Sequence, residues 1–113
     1  MPNLPAYKNL EVYNLSRKLV IACYQLTHDL PPEEKTNFTR YIRTAALNLH
    51  MNIAQGIFLK SKKRKKFIKA AKNALVIIDA GTDILVELGL TTKEDSELVS
   101  GLSRSCFELL DKV

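Results

Sequence analysis

Tryptophan is absent from this chain of 113 residues, and cysteine, methionine and histidine occur only twice each. Cys23 and Cys106 lie far apart, outside any CxxC or Cys/His ligand spacing, and both fall at or beside apolar helical positions. They are expected to be buried, reduced thiols rather than a disulfide or a metal site. His28 and His50 do not follow a glutamate in the Glu-x-x-His pattern of bundle metal centres, so no metal or other cofactor is expected. No Gly-rich phosphate loop, nucleophile elbow or Ser/His/Asp arrangement is present, and nothing argues for an enzyme. No apolar run approaches the roughly 20 residues that cross a bilayer, and Met1-Pro2-Asn3-Leu4-Pro5 is not the start of a signal peptide. These absences point to a cytoplasmic protein without membrane contact. There is no internal repeat, low-complexity tract, flexible linker or strand pattern.

What remains is ordinary globular composition, 46% apolar and 26% charged, in a length suited to one domain spanning 1–113. Apolar residues recur at helical spacing in four segments, at about 8–29, 32–59, 62–88 and 93–112. The first carries Val12, Leu15, Leu19, Ala22 and Leu26 and stops at Pro31-Pro32. The second carries Phe38, Ile42, Ala45, Leu49, Ile53 and Gly56, where the glycine either allows a close crossing or begins the exit. The third is the most regular: Phe67, Ala71, Ala74, Ile78, Gly81, Leu85 and Leu88, with Ser61 as expected N-cap and Gly89 as the residue that stops it. The fourth opens on a capping-box variant, Thr92 to Asp95, with Leu98, Leu102, Ser105 and Leu109 as its expected seam, flanked by Val99, Cys106 and Val113. Short connections favour antiparallel neighbours, so the expected fold is all-α: an antiparallel up-down-up-down four-helix bundle. Ala46, Leu47, Met51 and Ile57 of the second segment and Ala70, Leu75, Val76, Ile77, Ile84 and Val86 of the third lie outside the seams; some widen the core face, and the rest of that surplus predicts a homo-oligomer.

Charge is the most uneven property. Lys60, Lys62, Lys63, Arg64, Lys65, Lys66 and Lys69 sit together without an acid, while the other ten cations face 12 acids. The chain is +5 because of this one decade. Basic runs on helices are usually solvated faces, but this one occupies the first turns of a helix, where the macrodipole disfavours cations. Its members also repel one another at i,i+3 and i,i+4. An anionic partner offsets both costs, and a polyphosphate backbone is the commonest such partner. The expected nucleic-acid-binding residues are therefore these seven, acting without base specificity. A solvated face or a subunit contact are the alternatives. Arg40 and Arg43 fall opposite positions 80 and 77 in a helical hairpin, so ion pairs with Asp79 and Asp83 are preferred over phosphate contact. Asp79, Asp83 and Glu87 read as a solvated or ion-paired ridge rather than a metal site.

Several segments resemble the bacterial 23S rRNA intervening-sequence proteins, also called S23 ribosomal proteins. They are Leu10-Glu11-Val12-Tyr13, Leu30-Pro31-Pro32-Glu33-Glu34, Ile42-Arg43-Thr44-Ala45-Ala46 and Asn52-Ile53-Ala54-Gln55-Gly56, then Ser61 followed by Phe67-Ile68. The chain departs from the family pattern at Gln55, where Glu is usual, near His50, where a proline is common, and at Lys66, where an acid is usual. The resemblance implies a four-helix bundle, a pentameric ring and a role tied to ribosomal RNA insertions. It extends to the accessory proteins of diversity-generating retroelements, which implies RNA or DNA and a reverse transcriptase as partners. The alternative function is thus an accessory module whose basic face docks an acidic protein such as a reverse transcriptase.

Overall fold

The chain is described by a computed structural model that covers residue 8 and residues 10–113. Four α-helices account for most of it: α1 (Glu11–His28), α2 (Phe38–Ile57), α3 (Ser61–Glu87) and α4 (Lys93–Asp111). The 27 residues of α3 match the 44 Å long axis at about 1.5 Å per residue. Among the described residues no strand forms. Each helix packs on two others, α1 and α3 both lying against α2 and α4. The core inside is built from Leu19, Leu26, Ile42, Leu49, Ile53, Ile78, Leu85 and Leu110 with smaller residues between them.

The helix ends differ from expectation in two places. Pro32–Glu34 forms a short 3-10 turn, and α2 starts only at Phe38, because Asn37 (φ −111°, ψ −106°) leaves the helical path. At the start of α3 the cap position falls on Lys60, whose backbone is extended (ψ 149°) and whose side chain has no oxygen to accept from the first turn. Ser61 is one residue too late to cap. Two other ends follow the sequence. Gly89 takes φ +69°, and Leu90 N–H donates to Leu85 O (2.9 Å) while Gly89 N–H donates to Val86 O (3.0 Å), the paired bonds of a Schellman ending. Thr92 Oγ1 accepts from Asp95 N–H at 3.1 Å.

Close approach explains Gly56. A Cβ there would stand 3.0 Å from Phe67 Cβ, so α2 and α3 meet across a missing side chain. Gly81 repeats the device against Ile42 Cγ1, at 3.2 Å. The expected stripes of α2 and α3 are otherwise found buried or half-buried, except that Leu88 is exposed. The seam of α4 is a correction. The buried line is Ser96, Val99, Ser103, Cys106 and Leu110, one position along from the leucines expected there. Leu98 is 47% exposed, and Leu102, Ser105 and Leu109 are half-buried. Adjacent lines differ by about 100° around the axis, and the smaller residues allow α4 to sit closer to α1 and α3.

Candidate nucleic-acid interface

The basic cluster occupies the Lys60 cap and the first two turns of α3, with no acidic residue in the first turn. At about 100° per residue, Lys62, Lys65, Lys66 and Lys69 share one arc, Lys63 stands beside it and Arg64 falls opposite. Burial follows that wheel: the six lysines are exposed and Arg64 is half-buried. Arg64 turns back on the preceding helix, its Nε donating to Leu59 O (3.0 Å) and its Nη2 to Ile57 O (2.9 Å). Those carbonyls lie at the end of α2, where backbone acceptors lack helical partners. Arg64 thus holds the α2–α3 turn, which sets it apart from the lysines with which the sequence groups it.

Among the described residues, neither ion pair reaches the cluster: Lys72 pairs with Asp111, and Lys93 with Glu97 at 3.9 Å. Lys72 continues the ridge one turn on, but it leans over the Phe107 ring of α4 (5.4 Å to the centroid) and its charge is spent on Asp111. The ridge therefore ends at Lys69. Sequence reasoning missed Phe58, an aromatic 43% exposed at the C-cap of α2, just ahead of Lys60. Its position beside a basic run was the available signal, since base stacking favours aromatics next to cations.

Arg43 is placed otherwise than expected. It packs on α1, with Nε donating to Thr27 Oγ1 (2.8 Å) and the guanidinium 4.4 Å from the Tyr24 ring centroid. The α2–α3 register brings Ile42 against Gly81, so the neighbouring side chain at 43 is rotated toward the other partner helix. Arg40 is exposed. No ion pair of either arginine with Asp79 or Asp83 forms among the described residues. Asp79 and Asp83 instead border a shallow depression with Ser96, Glu97 and Ser100 of α4. No three His, Cys, Asp or Glu side chains among the described residues gather closely enough to hold a metal ion.

The remaining polar groups serve packing. His50 Nδ1 lies 2.7 Å from Ser16 Oγ, and its ring tilts on Tyr13 at 4.5 Å between centroids. The Ser16 hydroxyl is also within reach of Tyr13 O (2.8 Å), so its one proton is shared between the helix carbonyl and the His50 contact. Burial, and then the nearby Arg17 charge, hold the His50 pKa below the usual 6.5. Cys23 and Cys106 are free and fully buried, with burial raising each thiol to about 12, so both are inert at neutral pH. Tyr7 lies outside the described residues, Tyr24 sits under Arg43, and Tyr41 is exposed on α2 away from the ridge. No described helix is long and apolar enough to cross a membrane.

Residues 8–112 match the family model of the 23S rRNA-intervening sequence protein. No curated protein matches the chain. A match over nearly the whole length of a chain whose described residues fold as four helices shows that this chain belongs to the 23S rRNA-intervening sequence protein family.

Proposed function

We propose that this protein is a non-enzymatic, oligomeric RNA-binding bundle that works in the cytoplasm and grips phosphates with Lys60, Lys62, Lys63, Lys65, Lys66 and Lys69. The observation that carries the reading is a ridge of six exposed lysines without a carboxylate partner among the described residues. It stands at a helix start that no side chain caps. Arg64 belongs to the site as the residue that positions the ridge, by fastening α3 to the end of α2. The order of the helices is read as up-down-up-down. Its support is the run of facing pairs: Ser16 with His50 and Thr27 with Arg43, Gly56 with Phe67 and Ile42 with Gly81, and Lys72 with Asp111. For α1 with α2 and for α2 with α3, residue numbers rise on one helix as they fall on the next, and the last residue of α4 meets α3 at Lys72, in its N-terminal half.

Phosphate contact by flexible lysines carries no base code, so affinity depends on charge and salt and little on sequence. Six contacts on a single strand give a slope of about −4 in log affinity against log salt. Fluorescence anisotropy with a labelled single-stranded RNA is expected to show that steep loss. Replacing Lys62, Lys63, Lys65 and Lys66 by Glu is expected to abolish binding while helical circular dichroism stays unchanged. Undiminished affinity in the folded variant overturns the reading.

A further inference from the structure

A second feature lies at the end of the bundle where α2 stops and α3 begins. Val12, Ile53, Ile57, Ile68 and Leu110 line a cavity of about 240 Å³, with Arg64 and Glu11 as its charged members. A neighbouring depression of about 450 Å³ shares Arg64, Ile68 and Leu110 and adds Lys65, Lys69 and Lys72. Its one acid, Asp111, is taken by Lys72. An aliphatic slot thus opens on a wall where Arg64, Lys65 and Lys69 have no carboxylate partner among the described residues. Arg64 uses Nε and Nη2 on backbone carbonyls, which leaves Nη1 to donate elsewhere.

The volume falls just short of the roughly 300–1,000 Å³ of sites for drug-sized ligands, which suits one narrow chain. A nucleobase is a poor occupant, because the donors and acceptors on its edge would be buried against aliphatic walls. An acyl chain has no polar atoms to satisfy, and its head would lie at the cationic wall. We propose that this slot binds a single-chain amphiphile with an anionic head, its chain between the half-buried Val12, Ile57 and Ile68 over the buried Ile53, and its head on Arg64, Lys65 and Lys69.

The test uses the full chain with isoleucine, leucine and valine methyl groups labelled for NMR, titrated with sodium decanoate below its micelle threshold. Saturable shifts at Ile53, Ile57 and Ile68 are expected. Decanol, of equal length and no charge, should bind about ten-fold more weakly, the equivalent of one charge-assisted hydrogen bond. The surface variant carrying Lys65→Glu and Lys69→Glu should lose about ten-fold for decanoate and nothing for decanol. Decyl phosphate in place of decanoate tells a phosphate head from a carboxylate by which binds more tightly. The proposal is overturned by the absence of saturable shifts, by equal affinity for decanol, or by shifts confined to the exposed Ile77 and Ile84. Adsorption to phosphatidylglycerol vesicles without decanoate shifts also overturns it, because surface charge alone explains that result.

Discussion

Single side chains decide how α3 is held, and three glycines separate the reasons. Gly56 faces Phe67 Cβ, a backbone-anchored atom that cannot yield, whereas Gly81 faces the side chain of Ile42 and Gly101 faces open space. Alanine gains roughly 1 kcal/mol of helix propensity over glycine at any of them. At Gly56, overpacking of about 1–3 kcal/mol outweighs that gain. Thermal unfolding should therefore show Gly56→Ala losing several degrees, Gly81→Ala close to neutral and Gly101→Ala gaining a few; a stabilised Gly56→Ala would disprove the close crossing. Arg64 offers a second contrast. Removing its two charged hydrogen bonds should cost about 1–3 kcal/mol in Arg64→Ala, given partial exposure, while Lys65→Ala stays within roughly 0.5 kcal/mol. Urea titration checks both, and equal effects would mean that Arg64 is one more solvated cation.

His50 gives a pH dependence whose direction follows from its environment. Its folded pKa lies below the unfolded value of 6.5, so the unfolded chain takes up the proton first as pH falls. The contribution is present above pH 6.5 and is lost as pH falls from there through the folded pKa. The slope from this one group cannot exceed about 1.4 kcal/mol per pH unit. Unfolding midpoints measured from pH 7.5 to 5 should decline in the wild type, and His50→Asn should flatten the decline. An identical slope in the variant would assign it to other groups.

At the scale of elements, α3 changes character along its outer side. Lysines occupy its start, Val76, Ile77, Ile84 and Val86 are about half-exposed further along, and Asp79, Asp83 and Glu87 lie toward its end. Charge repulsion among the lysines is uncompensated locally, so the helix depends on its buried line and on the Arg64 tether to start where it does. The α4 correction belongs to the same scale. Two of its larger apolar residues, Leu98 and Phe107, are substantially exposed, while the smaller Val99, Ser103 and Cys106 are buried along with Leu110. Size and burial part company there because two neighbouring helices, not one, set how near the α4 backbone can come.

For the whole molecule, the proposed oligomer has a candidate contact face in the exposed apolar side chains of α2 and α3. Ile77 and Ile84, seven residues apart, lie on one face and are 49% and 47% exposed. If that face joins copies of the chain, Ile77→Asp with Ile84→Asp should leave circular dichroism intact and lower the light-scattering mass to that of a 12.8 kDa monomer. A wild type that is already monomeric would remove the need for the face.

The helical class, the α2 and α3 stripes, the Gly89 stop, the Thr92 cap and the location of the basic cluster are all readable from local spacing. Each depends on one residue's place in its own helix and on backbone groups a few positions away, and those relations are written along the chain. The family resemblance was legible for the same reason, because its segments are local. Other features depend on which neighbour a side chain meets: the buried line of α4, Gly56 as a crossing point, Arg43 on α1 rather than α3, and Arg64 withdrawn from the lysine ridge. Adjacent positions on a helix differ by about 100°, so a small rotation or change of register exchanges one partner helix for another. Spacing alone leaves that rotation open, and packing around a shared core sets it.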